Sequence, residues 1–188
     1  MDIIFDQITT ETLTELEKTQ KEFWNIPRTT AVLINTFIKM MGVKNALEIG
    51  TSNGYSGIWI GKALKETGGK LTTIEYYDKR QSVAIENFKK CGVNDIIRPL
   101  QGSACDIIES LAPEEKFDFV FIDANKREYV KYFELIKPHL TPKALIIADN
   151  ITSHAEKVQT FIDAVDADDE FQYQIVEVPG GILIAYRG

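Results

Sequence analysis

The sequence of 188 residues has only two cysteines and two histidines. Cys91 and Cys105 are too few and too isolated for a disulfide framework or a cysteine-built zinc site, and two histidines cannot form a histidine-rich metal site. No apolar run approaches the roughly 20 residues that span a bilayer. The N-terminal segment is acidic and polar and lacks the basic and then apolar order of a signal peptide. We therefore expect a protein of a reduced compartment, the cytoplasm, that does not bind a membrane.

Positive charge is also scarce. The chain has 21 Lys and Arg residues against 28 Asp and Glu residues, a formal net charge of -7. This balance disfavours a general binder of nucleic acids or anionic membranes, because both are bound through a basic surface, but it leaves a local basic patch open. No repeat or Pro/Gly/Ser-rich linker interrupts the chain. We therefore predict one domain over residues 1–188, in which residues 1–26 form a short N-terminal helical extension.

Strand-like segments alternate with helix-like segments after residue 44. The apolar runs at 117–123 and 144–149 lack the polar alternation of a half-exposed sheet, which is typical of parallel strands covered on both faces. Two β-rich runs near the C-terminus, joined by a glycine-containing turn, indicate a hairpin. We expect Thr10 or Thr12 to cap the first helix. Further strands are predicted at 45–50, 70–76 and 95–101, and helices at 9–23, from Pro27 to Gly42, and at 55–66, 79–91, 104–111, 127–137 and 153–165. The pattern predicts an α/β fold: a Rossmann-like, mostly parallel sheet with helices on both faces and a C-terminal antiparallel hairpin.

The first predicted strand runs into a glycine-rich turn with the spacing G-x-x-x-G, from Gly50 to Gly54. Glycine lets the backbone turn sharply and approach a ligand closely, but this spacing is neither the G-x-G-x-x-G of dinucleotide folds nor a P-loop. Glu48 would suit an ammonium group, and Ser56, with the N-terminal amides of the next helix, would suit a carboxylate. An amino acid carries both groups, while a turn without a ligand explains the glycines equally well.

A second acidic residue, Glu75, ends the next predicted strand. An acid at this position commonly accepts hydrogen bonds from ribose hydroxyls, and a surface glutamate is the alternative. The turn and Glu75 together indicate a ligand that combines an amino acid with a ribose. S-adenosylmethionine is such a molecule.

Several motifs resemble, in their order and spacing, those of the metal-dependent class I O-methyltransferases, a family that includes the catechol and caffeoyl-CoA O-methyltransferases and many bacterial relatives. These motifs are ALEIGTSNGYSG, TTIEYYDKR, GSACDII, FVFIDANKREY and LIIADNITSH. The resemblance runs from about Pro27 to the C-terminus. It implies a seven-stranded sheet with a reversed last strand, and it implies that Glu48, Gly50, Ser56 and Glu75 lie in the S-adenosylmethionine site.

The resemblance further implies an adenine contact and a general base. The family often has Gly-Asp-Ala where this chain has Gly102-Ser103-Ala104. The Ser103 hydroxyl would bond the adenine amino group and the Ala104 amide a ring nitrogen, while a helix cap is the other role open to Ser103. In the family, the lysine at the position of Lys126 takes the proton from the substrate hydroxyl, and a solvated surface lysine is the alternative. Neighbouring Asp123 is counted in both the catalytic and the cofactor-binding sets.

Three oxygen-bearing side chains follow neighbouring predicted strands. Asp123 ends one strand, and Asp149 and Asn150 end the next. Neighbouring strands lie about 4.8 Å apart, so these side chains can converge on one point. Two carboxylates and one amide oxygen suit Mg²⁺, or else Mn²⁺ or Ca²⁺. The resemblance implies the same three metal ligands, and capping of the turns after the strands is the alternative.

The predicted function is that of an enzyme, an S-adenosylmethionine- and metal-dependent O-methyltransferase whose small hydroxylated acceptor is phenolic or catechol-like. One alternative acceptor is a hydroxylated tRNA base, supported by a basic cluster at Lys62, Lys65, Lys79, Arg80, Lys89 and Lys90. Another alternative is a non-catalytic S-adenosylmethionine-binding protein. For Tyr129, lining the pocket and packing are both open, and for His154 a place on a helix surface is favoured over one at the site. The resemblance adds a homodimer as an expectation.

Overall fold

The structure, a computed structural model, describes residue 3 and residues 5–188. Residues 1, 2 and 4 of the predicted N-terminal extension lie outside the described residues. The α-helices are α1 Gln7–Lys18, α2 Gln20–Phe23, α3 Arg28–Met41, α4 Tyr55–Thr67, α5 Asp78–Lys90, α6 Ala104–Glu109, α7 Tyr129–Ile136 and α8 Ala155–Asp166. The strands are β1 Asn45–Ile49, β2 Lys70–Glu75, β3 Ile97–Gln101, β4 Phe117–Ile122, β5 Leu140–Ala148, β6 Phe171–Val176 and β7 Ile182–Arg187. Short 3₁₀ helices at Lys126–Glu128 and Lys137–His139 flank α7.

The seven strands form one sheet in the order β3-β2-β1-β4-β5-β7-β6. The pairings from β3 to β5 are all parallel, whereas β7 runs antiparallel to both of its neighbours. The α/β fold class, the mostly parallel sheet and the reversed strand of the C-terminal hairpin are thus confirmed. Between β1 and β4 the strand order reverses, and ligands of open α/β sheets bind beyond the carboxyl ends of the strands at such a point.

The central strands are apolar on both faces because helices cover both. In β4, Phe119 and Phe121 belong to one buried cluster, while Val120 and Ile122 point to the other cluster on the opposite face. This alternation follows from the two-residue repeat of a strand. Helices α3 and α4 cover the first face, and α7 and α8 cover the second. The packing holds the carboxyl ends of β1, β2, β4 and β5 at one edge of the sheet.

The predicted first helix is divided into α1 and α2, and its cap lies earlier than predicted. Asp6 caps α1 by accepting hydrogen bonds from the Thr9 N–H (2.9 Å) and hydroxyl (2.7 Å). The prediction of Thr10 or Thr12 as cap is wrong, because a carboxylate reaches these donors from one turn earlier. Trp24 ends α2 with a positive φ of 56°, so the chain turns here toward the carboxyl edge of the sheet.

Strand β5 begins four residues before the predicted start. Leu140 pairs with Phe117, and a register shift between Phe117 and Phe119 precedes the regular pairing of Leu145 with Phe119. This irregularity accommodates Pro142, which lacks a backbone N–H for the ladder. Among the residues that the structure describes, no helix has the combined length and apolar character needed to cross a membrane.

Candidate functional site

A cavity of about 1000 Å³ opens at the carboxyl edge of the sheet. Its walls come from the turns after β1, β2, β3, β4 and β5, from the segment between α2 and α3, and from the turn between β6 and β7. Of the predicted site residues, all but Glu48 line this one cavity: Gly50, Ser56, Glu75, Ser103, Ala104, Asp123, Lys126, Asp149 and Asn150. Residues that are up to 100 positions apart in the chain are thus brought to one surface.

Gly50 joins the glycine-rich turn closely to the end of β4. Its φ is 106°, and a Cβ at this position would overlap the backbone carbonyl of Asp123. Its N–H donates to the Ile74 carbonyl (3.0 Å), and the Asp123 N–H donates to the Ile49 carbonyl (2.9 Å). Only glycine fits both the backbone angle and the space, so this turn is held between β2 and β4.

Glu48 lies behind the cavity wall, fully buried. Its carboxylate accepts hydrogen bonds from the Ser56 hydroxyl (2.6 Å) and the Thr73 hydroxyl (2.5 Å). Burial raises the pKa of Glu48 from 4.5 to about 7; the two hydrogen bonds oppose this rise, and the charges of Asp123 and Glu75 add to it. Ser56, rather than Glu48, is therefore the group of this pair that meets the cavity.

Glu75 is held by one backbone amide on each carboxylate oxygen. The Ser52 N–H donates to Oε2 (2.8 Å) and the Tyr77 N–H donates to Oε1 (2.9 Å). A carboxylate oxygen can accept a second hydrogen bond, so both oxygens keep capacity toward the cavity. Sequence reasoning missed Ser52, whose positive φ of 48° is a property of the folded turn; its hydroxyl also donates to the Phe23 carbonyl (2.7 Å) at the end of α2.

Ser103 and Ala104 lie beside the end of β2, because the Gly102 N–H donates to the Glu75 carbonyl (2.9 Å). Ser103 is the N-cap of α6, and its hydroxyl accepts from the Asp106 N–H at a long 3.5 Å. The capping role that the sequence left open is therefore present. The same hydroxyl lines the cavity, so the two roles are compatible.

Asp123 and Asp149 occupy neighbouring positions just beyond paired strands. Ile122 pairs with Ala148, and the Asp149 N–H donates to the Ile122 carbonyl (3.0 Å). Burial, and next the charge of Asp123, raise the pKa of Asp149 to about 7. Burial also raises the pKa of Asp123, although the nearby Lys126 ammonium opposes the rise. Asn150 follows with a φ of 63°, so the chain reverses at this point of the cavity wall.

Lys126 lies inside the site. It begins the 3₁₀ helix after β4, and its Nζ is 2.6 Å from Asp123 Oδ1. Only 16% of the Lys126 side chain and 13% of the Asp123 side chain are exposed. A shielded ion pair of this kind distinguishes Lys126 from the solvated lysine that the sequence left as the alternative.

Tyr129 packs beneath the site and does not line the cavity. It is fully buried, and its hydroxyl is within hydrogen-bond distance of the carbonyls of Ile122 (3.3 Å) and Asp149 (3.2 Å). One phenol thus bridges the ends of β4 and β5, directly behind the two aspartates. His154, in contrast, lines the cavity, contrary to the helix-surface position that we favoured from the sequence.

The three oxygen-bearing residues fit a hard divalent cation chemically. Asp149 Oδ1 is a buried acceptor with no hydrogen-bond donor, and a buried carboxylate oxygen without a donor calls for a compensating positive charge. Among residues 3 and 5–188, no group of three or more His, Cys, Asp and Glu side chains could hold a metal. A metal at this site would therefore need the Asn150 amide oxygen beside the two carboxylates.

Comparisons with known proteins agree with these features. A family model described as O-methyltransferase matches residues 4–186. A catechol O-methyltransferase from Niastella koreensis is 41% identical over 110 residues, which cover 57% of this chain and 49% of that protein. Caffeoyl-CoA O-methyltransferase 1 from Zea mays is 34% identical over 148 residues, covering 74% and 57%. The chain thus spans about half the length of the curated relatives it matches.

The fold comparison covers nearly the whole chain. The crystal structure of an O-methyltransferase from Bacillus cereus, in complex with SAH, has a TM-score of 0.87 and 28% identity, and the match covers 99% of this chain and 93% of that one. Family model, curated relatives and fold therefore agree with the sequence motifs. The chain belongs to the O-methyltransferase family.

Proposed function

We propose that this protein transfers a methyl group from S-adenosylmethionine to a hydroxyl of a small phenolic, catechol-like acceptor, with the help of a divalent metal. One observation carries the proposal. The glycine-rich turn, Glu75 and the Asp123–Asp149–Asn150 set line the same cavity, so an amino-acid-and-ribose ligand and a cation-bound hydroxyl would meet there. A cytoplasmic location and a homodimer remain predictions.

The cofactor end follows from the hydrogen bonds of the chain. The Bacillus cereus relative was crystallised with SAH, the product that S-adenosylmethionine leaves after giving up its methyl group. Glu75 would accept from the ribose hydroxyls, and Ser103 and Ala104 would contact the adenine. While Glu48 is ionised, the Ser56 hydroxyl donates to it, so Ser56 offers the cavity an acceptor. Ser56 therefore suits the ammonium group of the cofactor, a change from the carboxylate that we first expected.

At the other end, Asp123, Asp149 and Asn150 would hold Mg²⁺, Mn²⁺ or Ca²⁺. When bound there, the cation supplies positive charge that stabilises an acceptor oxyanion and favours the neutral amine of Lys126. Lys126 would take the proton of the acceptor hydroxyl at Nζ. The cavity walls would hold the acceptor oxygen in line with the methyl carbon, which lowers the entropic part of the barrier.

The experiment is a methyl-transfer assay with catechol and S-adenosylmethionine, read by mass spectrometry of the product. We expect turnover with Mg²⁺, loss of turnover in EDTA, and recovery when Mg²⁺ is added back. Equal turnover in EDTA and Mg²⁺ would contradict the metal role. Binding of S-adenosylmethionine without transfer to catechol or to tRNA would instead favour the non-catalytic alternative.

The tRNA alternative has less support in the structure than in the sequence. Three members of its basic cluster form ion pairs: Lys62 with Asp6, Lys65 with Asp95, and Lys89 with Glu86. Paired lysines offer less charge to a phosphate backbone. We therefore rank a small acceptor first, and mass spectrometry of tRNA from a deletion strain tests the other acceptor.

A further inference from the structure

The acceptor end of the cavity carries positive side chains that the proposed chemistry does not use. Arg127 and Lys157 line the cavity beside Lys126 and His154. Building on the function proposed above, we infer that the acceptor is itself an anion, a catechol-like ring with a carboxylate on its far side. Arg127 and Lys157 would be the specificity-determining residues that recognise this carboxylate.

The fold brings these two cations to the same cavity from separate elements. Arg127 belongs to the 3₁₀ helix that follows β4, and Lys157 lies in the first turn of α8, which follows β5. The 3₁₀ helix and α8 pack against each other. Because Asp123 and Asp149 end these same two strands, the cations stand on the segments that directly follow the predicted metal ligands.

Arg127 and Lys157 are available to a ligand. Both are exposed, and none of the ion pairs formed within the described part of the chain includes either of them. The Lys126 ammonium is different, because Asp123 already pairs with it. Glu128, the cavity acid nearest in sequence, accepts hydrogen bonds at Oε2 from the Tyr132 hydroxyl (2.8 Å) and the Asn125 side-chain amide (3.0 Å).

The pKa of His154 is a second indication that positive side chains are concentrated at this end of the cavity. Burial lowers the pKa of His154, and the charges of Lys126 and Lys157 lower it further, while the charge of Asp123 opposes them. This local field contrasts with the net charge of -7 of the whole chain. A protein that repels anions at long range needs such a local patch to bind an acidic acceptor.

A carboxylate fits this patch better than a neutral polar group does. The guanidinium of Arg127 presents paired donors that match the two oxygens of a carboxylate, and Lys157 adds a point charge from α8. The two side chains are partly hydrated, so we expect a modest effect. A preference of about 10-fold corresponds to about 1.4 kcal/mol.

The test compares kcat/KM for caffeate, a catechol with a carboxylate, and for its primary amide, which has a similar shape but no charge. We expect the unmodified protein to prefer caffeate by about 10-fold. In the double variant Arg127→Gln/Lys157→Gln the preference should fall to about 2-fold or less, while turnover of the amide stays within about 2-fold. Lys131→Gln is the matched control, since Lys131 lies on α7, pairs with Glu109 and does not line the cavity.

Each outcome decides one point. Equal kcat/KM for caffeate and the amide in the unmodified protein would overturn the inference and leave the proposed function intact. A preference that survives in the double variant would show that Arg127 and Lys157 do not recognise the carboxylate. If the protein methylates none of the three compounds, caffeate, its amide and catechol, the proposed function itself is overturned.

Discussion

The acidic side chains in the two halves of the cavity differ in how far hydrogen bonds and ion pairs compensate their charge. In the half formed by β1 and β2, each glutamate accepts a hydrogen bond from the chain at both carboxylate oxygens: Glu48 from two hydroxyls, and Glu75 from two backbone amides. In the half formed by β4 and β5, the chain compensates the two aspartates only in part. Asp149 Oδ1 has no donor, and Asp123 has a single ammonium partner for its buried charge.

The difference indicates which half is complete without a ligand. A buried carboxylate that accepts two hydrogen bonds is already stabilised in its place, so the first half is preorganised for the cofactor. A buried carboxylate oxygen without a donor destabilises the folded protein. We infer that the second half is built to be completed by a cation.

The largest expected effect comes from Asp149→Asn in the second half. The variant removes a charged oxygen from the proposed metal set, so we expect methyl transfer to fall about 1000-fold, or about 4 kcal/mol. It also removes a buried charge, one oxygen of which has no hydrogen-bond donor. We therefore expect the metal-free variant to be more stable than the unmodified protein at pH 8, by about 1 kcal/mol or about 2–4 °C in Tm.

The prediction is specific because activity should fall while the stability of the metal-free protein rises. The measurements are turnover with Mg²⁺ and thermal unfolding in EDTA, and exposed Asp169 supplies the control Asp169→Asn. A loss of stability in EDTA would mean that the Asp149 carboxylate is compensated by the chain, and the contrast between the two halves would fail.

Glu75→Gln tests whether the hydrogen-bonded Glu75 carboxylate in the first half holds the ribose of the cofactor. The amide NH₂ of Gln would face one of the two backbone N–H donors, so one hydrogen bond is lost and the group that meets the ribose is misplaced. We expect the KM for S-adenosylmethionine to rise about 30-fold with kcat nearly unchanged, because the ribose is remote from the reacting atoms. A fall in kcat at unchanged KM would contradict the assignment.

Tyr129→Phe tests whether the hydroxyl behind the two aspartates helps to position the proposed metal ligands. The variant keeps the ring packed against Phe161 (5.7 Å between centroids) but removes the hydroxyl that bridges the carbonyls of Ile122 and Asp149. We expect the Mg²⁺ concentration for half-maximal activity to rise about 10-fold. Tyr173→Phe removes a remote hydroxyl that bonds Asp166 and should leave this concentration unchanged. Equal behaviour of the two variants would refute the bridging role.

The smallest effect concerns the pH dependence of stability. The folded pKa of Glu48, about 7, is above its ordinary value of 4.5, so the folded state binds more protons between these values. Stability therefore falls as pH rises from about 4.5 to about 7 and is level above. Glu48→Gln cannot lose this proton. We expect its stability relative to the unmodified protein to improve by about 1 kcal/mol from pH 6 to pH 7.5, measured by urea unfolding. A constant difference would contradict a buried, protonated Glu48.

The sequence allowed the residues of the site to be predicted, but not the backbone conformation and hydrogen bonds that hold them in place. Glu75 is the last residue of its strand, Gly50, Asp123 and Asp149 come directly after theirs, and the ends of parallel strands meet at one edge. Their convergence on one cavity could therefore be anticipated. The positive φ of Ser52 could not, because it arises only when the turn closes over Glu75.

The N-terminal extension shows the same limit. Its helical character could be read from the apolar spacing, but the break between α1 and α2 and the cap at Asp6 could not. Both depend on which donors the folded chain leaves open. The Asn25 side-chain amide donates to the Leu16 carbonyl (2.9 Å), a contact that exists only after the chain has turned.

The sequence by itself determined the alternation of strands and helices, the family, and the residues that end each strand, because these depend on short-range periodicity and on residue type. The tertiary structure decided how each acid is compensated. It placed Glu48 behind Ser56, left Asp149 Oδ1 without a donor, and brought Arg127 and Lys157 to one rim. Burial and hydrogen-bond geometry are properties of neighbours distant in sequence, and no local pattern specifies them.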